Sequence, residues 1–468
     1  MTYIVQRFTS LATLFYLGSL LLYARARLVQ EGGGAGRRRV LAAGLYLLAL
    51  LAALLAMKTK QIAFTLPFVV VLYEFTFFSG RIVKRVGAMA LFLLTLAVVP
   101  LTLTGPARLS GEFLDRLTAL PKESPLMPRL DYLCTQFRVI VTYIRLLLFP
   151  AGQRLEYDYP IYRTFFTPPV LLSFLCLLAL VVLGGFLWLR SRGVVRRAPV
   201  TGCSQRLVAF GIFWFFITLA VESSIIPISD VIFEHRLYLP SVGAAIAITA
   251  ALLALVDRAA ARRPWVRAGA AAGFFLVAAL LALATFQRNR VWATEVSLWE
   301  DTVAKSPNLP RPLNNLAAVY LKNGDPHKAL AVLVRANDLA PGYTDTWLNI
   351  CIALDRLGMY DGRFRYGSEL FDASGNIKPQ HLTEWFALAS NNLGLAYEVL
   401  GNHARALVQF DRALKLAPNL AEAHLNRGLA LLASGDRGGA LEEYRVLTTL
   451  DPKTARKMAL WFAAGGGR

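Results

Sequence analysis

The sequence predicts an all-α protein in two parts, a polytopic helical membrane domain of about eight spans followed by an α-solenoid of helical repeats. Three observations carry this. Of the 468 residues, 56% are hydrophobic, above the roughly 45–50% of a soluble globular chain. Up to Phe286 the apolar residues gather in runs that suit a bilayer, whose hydrocarbon core takes roughly 17–25 residues of helix to cross. Beyond residue 290 those runs give way to a pattern of small residues, glycines and prolines that returns at a fixed period.

The apolar runs fall at 8–28, 40–57, 61–78, 86–104, 169–190, 207–226, 238–256 and 267–286. The first lacks a basic leader and a small-residue cleavage site, so it reads as a span and not as a cleavable signal. Basic residues in short loops mark the cytoplasmic side. Arg25, Arg27, Arg37, Arg38 and Arg39 follow the first run, and Arg81, Lys84 and Arg85 follow the third. Arg190, Arg192, Arg196, Arg197 and Arg206 surround the break after the fifth, and Arg258, Arg262, Arg263 and Arg267 follow the seventh. These alternate loops share one side, expected to be cytoplasmic. The loop 105–168, the turn 225–241 and everything after residue 287 then face outward. The segment DYLCTQFRVIVTYIRLLLFP (Asp131 to Pro150) stands apart. Asp131, Arg138 and Arg145 recur every seven residues on one helical face. It is therefore expected to lie in the outer interface, a ninth span being the alternative. The loop arginines account for the net charge of +20, so nucleic acid is not expected as a partner. Cys134, Cys176, Cys203 and Cys351 form no CxxC pair, which predicts neither a metal site nor a disulfide framework.

In the second part, Asn315-Leu316-Ala317, Tyr320, Gly324-Asp325, Ala329, Ala336 and Pro341 fit the 34-residue tetratricopeptide template of two helices joined by a turn. Asn392-Leu393-Gly394, Tyr397, Gly401, Ala406, Phe410, Ala413 and Pro418 fit it again, as do Asn426, Gly428, Gly435-Asp436, Ala440, Tyr444 and Pro452. Between them Trp347, Asn349, Ile350, Cys351 and Gly358 keep the register of a degenerate repeat, with about nine additional residues expected near ASGNIKPQ. EVSLWEDTVAKSPN (Glu295 to Asn308) reads as a capping half-repeat. The expected division is 1–287 for the membrane domain, 288–310 for linker and cap, 311–455 for about four repeats, and 456–468 for a tail. Such arrays hold a protein or peptide in a concave groove and carry no chemistry of their own.

No nucleophile elbow, P-loop, HExxH or GxGxxG occurs. Candidate chemistry gathers at the outward ends of the spans. IIPISDVIFEHRLYLPS places Asp230, Glu234, His235, Arg236 and Tyr238 in one short turn. Ionisable residues at membrane depth are costly and tend to mark sites, and an Arg with a His can hold a lipid phosphate. Plain structural pairing at the surface is the other reading. Lys58 and Lys60 in MKTKQIAFTLP lie outward, either as interfacial anchors or as phosphate contacts. Arg154, Glu156, Tyr157, Asp158 and Arg163 in QRLEYDYPIYRTFF suit an aromatic interface belt or the wall of a sugar cleft. In TYIVQR, Arg7 reaches for the interface or joins the basic cavity.

TYIVQR, KTKQIAFTLP, YLCTQFRVIVTYIRLLLFP, LEYDYP and SDVIFEHRLYLPSVG, followed by SLWEDTVAKSPN and the repeats, resemble the transmembrane and tetratricopeptide-repeat-containing proteins and their bacterial homologues. The likeness runs in order along nearly the whole chain. It implies a C-type glycosyltransferase related to protein O-mannosyltransferases, which takes a sugar from a polyprenyl-phosphate carrier to Ser or Thr on the luminal or periplasmic face. No metal or other cofactor is expected. It also implies a multi-pass protein of the bacterial inner membrane with its repeats outside. The family places an acidic catalytic residue in the first external loop, and this sequence begins inside a motif that follows that loop. An N-terminally truncated chain without that acid is therefore expected. On this resemblance Arg236, with His235 and Lys58 or Lys60, would steady the departing phosphate. Tyr157, Asp158 and Glu234 would orient the sugar or neighbouring groups, Tyr238 belongs to the same candidate site, and a carboxylate would serve as general base. The expected partners are a polyprenyl-phosphate-linked sugar, a polypeptide in the repeat groove and membrane lipids. The alternative is a non-enzymatic membrane-anchored scaffold for assembling envelope proteins.

Overall fold

The computed structural model describes residues 4–32, 36–99, 102, 127–194, 199–223, 227–228, 230–341, 343–358 and 382–463. Among these, all regular structure is helical, and the chain separates into two compact units, 1–290 and 291–468.

The first unit holds α1 (Ile4–Glu31), α2 (Arg37–Thr59), α3 (Leu66–Phe77), α4 (Ile82–Leu94), α5 (Arg129–Leu148), α6 (Pro168–Val194), α7 (Pro199–Leu219), α8 (Tyr238–Ala260) and α9 (Trp265–Val291). Five helices among the described residues, corresponding to α1, α2, α6, α8 and α9, are long and apolar enough to cross a membrane. The runs expected at 61–78 and 86–104 correspond to shorter helices, and that at 207–226 to α7, which starts earlier and ends at Leu219. Lys60 is extended, a 3-10 turn follows over Gln61–Thr65, and Pro67 opens α3, so no continuous α-helix forms there. The α4 run breaks into a 3-10 turn at Thr95–Ala97, where the Thr95 hydroxyl donates to the Phe92 carbonyl at 2.6 Å. Of the loop expected at 105–168, residues 105–126 lie outside the described residues.

α1 runs alongside the α2–α3 segment and is fastened along its length. The Lys60 ammonium donates to the Thr9 hydroxyl at 3.0 Å, Tyr16 shares a hydrogen bond with Thr65 at 3.2 Å, and the Tyr23 hydroxyl donates to Glu74 at 2.8 Å. Arg27 grips the same fully buried carboxylate through Nη2 and Nε, at 2.7 and 3.0 Å. Arg85 donates to the Glu74 carbonyl at 2.7 Å, which adds α4 to the assembly. A buried carboxylate is tolerated here because it is paired and hydrogen-bonded on every side.

α5 buries one face, Tyr132, Thr135, Gln136, Val139, Tyr143 and Leu146. Its apolar members join Leu177, Phe215, Leu219, Ile232 and Leu237 in one core. The interfacial helix expected at 131–150 thus packs one side on protein, while Arg145 on another side is exposed.

α7 and α8 approach to backbone contact. A Cβ on Gly211 would lie 2.3 Å from the Gly243 carbonyl and 2.7 Å from the Ala247 nitrogen, and a Cβ on Gly243 would lie 2.7 Å from the Gly211 carbonyl. Small residues permit this crossing, the usual device where helices pack in lipid. The Trp214 indole N–H closes it by donating to the Leu239 carbonyl at 3.0 Å. The crossing sets the end of α7 beside the start of α8.

The second unit holds α10 (Glu295–Lys305), α11 (Pro310–Lys322), α12 (Pro326–Leu339), α13 (Thr344–Arg356), α14 (Leu382–Val399), α15 (His403–Leu416), α16 (Ala421–Ala433), α17 (Arg437–Leu450) and α18 (Pro452–Ala463). The intra-repeat turns carry glycines at positive φ, Gly324, Gly358, Gly401 and Gly435, where a side chain would be strained. The first and last steps between them are 34 residues and the middle step is 43. The additional stretch expected near ASGNIKPQ lies outside the described residues. After each of three turns a short polar side chain caps the next helix. Asp325 accepts from the Lys328 amide, Asn402 from Arg405 and Asp436 from Gly439. In α10 the Thr294–Ser297 pair forms a reciprocal capping box. Small residues hold the helix pairs together: a Cβ on Gly394 would meet the buried Phe410 ring at 2.4 Å.

His424 lies between two acceptors, Glu443 Oε2 at 2.6 Å from Nδ1 and the Pro418 carbonyl at 2.8 Å from Nε2. Only the imidazolium can donate to both, and the bond to Glu443 above all raises its pKa from 6.5. Burial pushes Glu443 up, but His424 and Arg427 outweigh it and hold the carboxyl below 4.5.

Two outcomes follow from this packing. Gly211→Leu forces α7 and α8 apart and costs about 1–3 kcal/mol or more, read as a lowered thermal midpoint of the full chain in detergent. The raised His424 contributes stability that is complete below pH 6.5 and is lost as pH rises through its folded pKa, while the depressed Glu443 contributes above pH 4.5 and loses it on acidification. Unfolding of the repeats is therefore hardest between those two values, and His424→Gln flattens the alkaline side of that profile in a denaturation series run from pH 5 to 8.

Candidate functional site

The segment between α7 and α8 is irregular, and its main-chain carbonyls are satisfied by side chains. α5 supplies three of these from its buried face. The Tyr132 hydroxyl donates to the Glu222 carbonyl at 2.9 Å, and the Gln136 amide donates to the Val231 carbonyl at 2.9 Å. Tyr143 both donates to the Phe233 carbonyl and accepts its amide, each at 3.0 Å. Positions 132, 136 and 143 share a face by helical spacing, so one straight helix serves a segment that has no ladder of its own.

Arg236 supplies the rest. It is 3% exposed. Its Nη2 donates to the Asp230 carbonyl at 2.8 Å, and its Nη1 reaches the Val231 and Glu222 carbonyls at 3.3 and 3.5 Å. The guanidinium also lies over the Phe233 ring, 5.5 Å from its centre. The planar fork of an arginine, with donors at fixed angles, suits this task. Glu234 turns the other way. Its Oε1 accepts the Arg154 amide at 2.7 Å and the Tyr157 hydroxyl at 2.5 Å, which ties the loop after α5 to the 3-10 turn Glu234–Leu237. Burial, and then the Glu234 charge, push the Tyr157 pKa up, so the phenol keeps its proton and donates it. Thr142 and Thr135 of α5 complete the join, bonding Tyr159 at 2.9 Å and the Tyr162 amide at 2.9 Å.

Next to this framework lies a cluster of charged side chains. Lys60, in the break between α2 and the 3-10 turn, pairs with Glu222 Oε1 at 3.3 Å. Its other bond, to Thr9, fixes it to α1. His235 is half-buried and stacks on Phe233 with ring centres 5.0 Å apart. Lys60, Glu222, Arg236 and Asp230 all lie within electrostatic reach of its ring. The structure thus brings together Lys60, His235, Arg236 and Asp230. Glu234 and Tyr157 form the adjoining contact, Lys58 and Asp158 are exposed, and Tyr238 is 52% exposed at the start of α8. Among the described residues no three His, Cys, Asp or Glu side chains gather as a metal would require.

The residue that sequence reasoning passed over is Glu222. It sits inside the apolar run 207–226, and a carboxylate within such a run is itself the signal that marks a site. Its Oε2 is buried and, among the described residues, has no hydrogen-bond partner; the same holds for the hydroxyl of Ser223.

The chain joins a helical unit that has apolar helices of bilayer length, with a polar cluster beside helix ends, to a unit of paired helices in tetratricopeptide-like register. Residues 387–420 match the tetratricopeptide repeat family. Over 309 residues the chain is 24% identical to the Protein O-mannosyl-transferase TMTC3 of Mus musculus, a match that takes in 63% of this chain and 32% of the mouse protein. The chain thus covers about a third of the length of that curated relative. Among solved structures, the crystal structure of MamA is 19% identical and covers 34% of this chain and 89% of that one, with a TM-score of 0.18. The crystal structure of the APC/C hetero-tetramer Cut9-Hcn1 is 15% identical over 89% of this chain and 74% of that one, with a TM-score of 0.22.

Replacing Arg236 tests the framework. Arg236→Met strands the Asp230 carbonyl at a cost of about 1–3 kcal/mol and takes the second donor from the Val231 and Glu222 carbonyls, which keep Gln136 and Tyr132. Arg236→Lys does not restore them, because an ammonium on a flexible stem cannot reproduce the fork. Both variants are expected to lower the yield and thermal midpoint of the full chain in detergent, with or without added lipid donor.

Proposed function

We propose that the protein is a membrane glycosyltransferase that moves a sugar from a polyprenyl-phosphate donor to Ser or Thr hydroxyls of a protein acceptor. The reaction takes place on the extracytoplasmic face of a bacterial inner membrane, and the repeats hold the acceptor polypeptide. The observation that carries this is the gathering of Lys60 from one segment with His235 and Arg236 from another, beside helix ends. The 24% identity to an O-mannosyl-transferase supports it. Loss of the sugar from its carrier leaves negative charge growing on the phosphate, and fixed cations at that position lower the barrier. Lys60 meets the phosphate with its charge and His235 with a ring N–H, its half-buried imidazole being held neutral by burial and by Lys60. Arg236 contributes its charge from behind, because its N–H groups hold the Asp230 and Val231 carbonyls. Glu234 and Tyr157 fix the loop that carries Asp158, and that loop with exposed Lys58 and Tyr238 forms the sugar side of the site.

A second reading is a non-enzymatic scaffold, in which the helices anchor the repeats for envelope-protein assembly. The commitment of Arg236 and Glu234 to structural bonds favours it.

Two measurements separate the readings. Glycoproteomics of envelope proteins is expected to show O-linked hexose on Ser or Thr that disappears when the gene is deleted; an unchanged set of glycopeptides supports the scaffold. With purified full chain, His235→Ala is expected to weaken binding of polyprenyl-phosphate mannose about threefold to tenfold, the loss of one hydrogen bond from a neutral ring N–H, while the folded fraction stays constant.

A further inference from the structure

We propose that Glu222 accepts the proton of the acceptor hydroxyl, held in place by Lys60. This assignment rests on the transferase function proposed above and adds a residue to it. Glu222 has one oxygen engaged, Oε1 with the Lys60 ammonium at 3.3 Å. The other, Oε2, is buried and without a partner among the described residues. On the next residue the hydroxyl of Ser223, only 7% exposed, is likewise unpartnered among the described residues. In this region four side chains serve the main chain of one segment, and Gln136 Oε1 and Arg138 Nε are the other buried polar atoms of α5 without a partner among the described residues; of all these, only Glu222 Oε2 belongs to a carboxylate. An open carboxylate oxygen, with an open hydroxyl on the next residue, points to a group that arrives from outside, one that can donate to a carboxylate. A Ser or Thr side chain has that chemistry.

The position of Glu222 is fixed by bonds that do not use its open oxygen. Its carbonyl accepts from Tyr132 at 2.9 Å and from Arg236 at 3.5 Å, and its amide donates to the Leu219 carbonyl at 3.2 Å. The neighbouring carboxylate Glu234 is taken up by Arg154 and Tyr157. The charged and titratable groups around Glu222 are Lys60, His235, Arg236, Tyr132 and Tyr143, with Asp230 on the far side of His235. In the step, the acceptor oxygen bonds to the anomeric carbon as the bond from that carbon to the phosphate oxygen breaks. The electron pair leaves on the phosphate beside Lys60 and His235, and the hydroxyl proton passes to Glu222 Oε2 and from there to solvent.

The test uses the full chain reconstituted in lipid vesicles, with polyprenyl-phosphate mannose and a Ser/Thr-rich peptide. Glu222→Gln is expected to lower kcat at least about a hundredfold, the usual share of a positioned base. The donor KM stays within about twofold and the acidic limb of the pH–rate profile disappears. Glu222→Asp recovers part of the rate and the limb. A Gln variant that keeps the wild-type rate or the wild-type pH profile overturns the assignment. So does one in which donor binding and rate fall together. If both variants fail to give a folded, monodisperse chain, Glu222 belongs to the framework and the assignment is likewise overturned. A wild-type chain that binds the donor but transfers no sugar overturns the transferase function itself, and the proton-accepting role with it.

Discussion

The carbonyls of Glu222, Asp230, Val231 and Phe233 belong to no α-helix, yet they sit among buried side chains where an unpaired acceptor is costly. Everything else at this end of the first unit follows from satisfying them. Tyr132, Gln136 and Tyr143 require α5 to lie with one particular face inward. Arg236 must fold back over its own turn, and doing so commits three of its five N–H groups to the main chain. Glu234 is then free to reach the opposite way and hold the loop around Tyr157. The charged cluster is what remains after the backbone has been served: Lys60 and Glu222 paired across the break after α2, with His235 beside them.

Much of the architecture was legible because it rests on periodicity. The repeat register survives in glycines at 34-residue steps, since only a residue without Cβ takes their backbone angles comfortably. The apolar runs marked the long helices for the same reason of length and composition. The breaks within those runs were less visible. Lys60 and Pro67 interrupt the helix near the third run, but a window of mean hydropathy passes over both. The close crossing of α7 and α8 was equally hidden, as Gly211 and Gly243 are two glycines among many until the partner helix is in place.

The candidate site was legible as a neighbourhood and not as a set of roles. EHRLY announced itself by charge density, but charge density does not say which groups face a ligand and which face the main chain. Arg236 is the clear instance, a cation whose N–H groups end on backbone oxygens. Glu222 is the converse. It hid inside a stretch otherwise made of Trp, Phe, Ile and Leu, and it became visible only when Lys60, far away in sequence, was found against it. Pairings across such separations depend on helix packing, which no local pattern encodes.

α9 leaves a different consequence. None of its residues is buried within the chain, and Phe274, Phe275 and Leu276 stand about two-thirds bare. Such a helix answers to the oil around it and not to neighbouring side chains. Drift among Ala, Leu, Val and Phe there meets little resistance, whereas the inward face of α5 tolerates almost none. Within one polypeptide, then, selection acts on one segment through its thickness alone and on another through individual atoms.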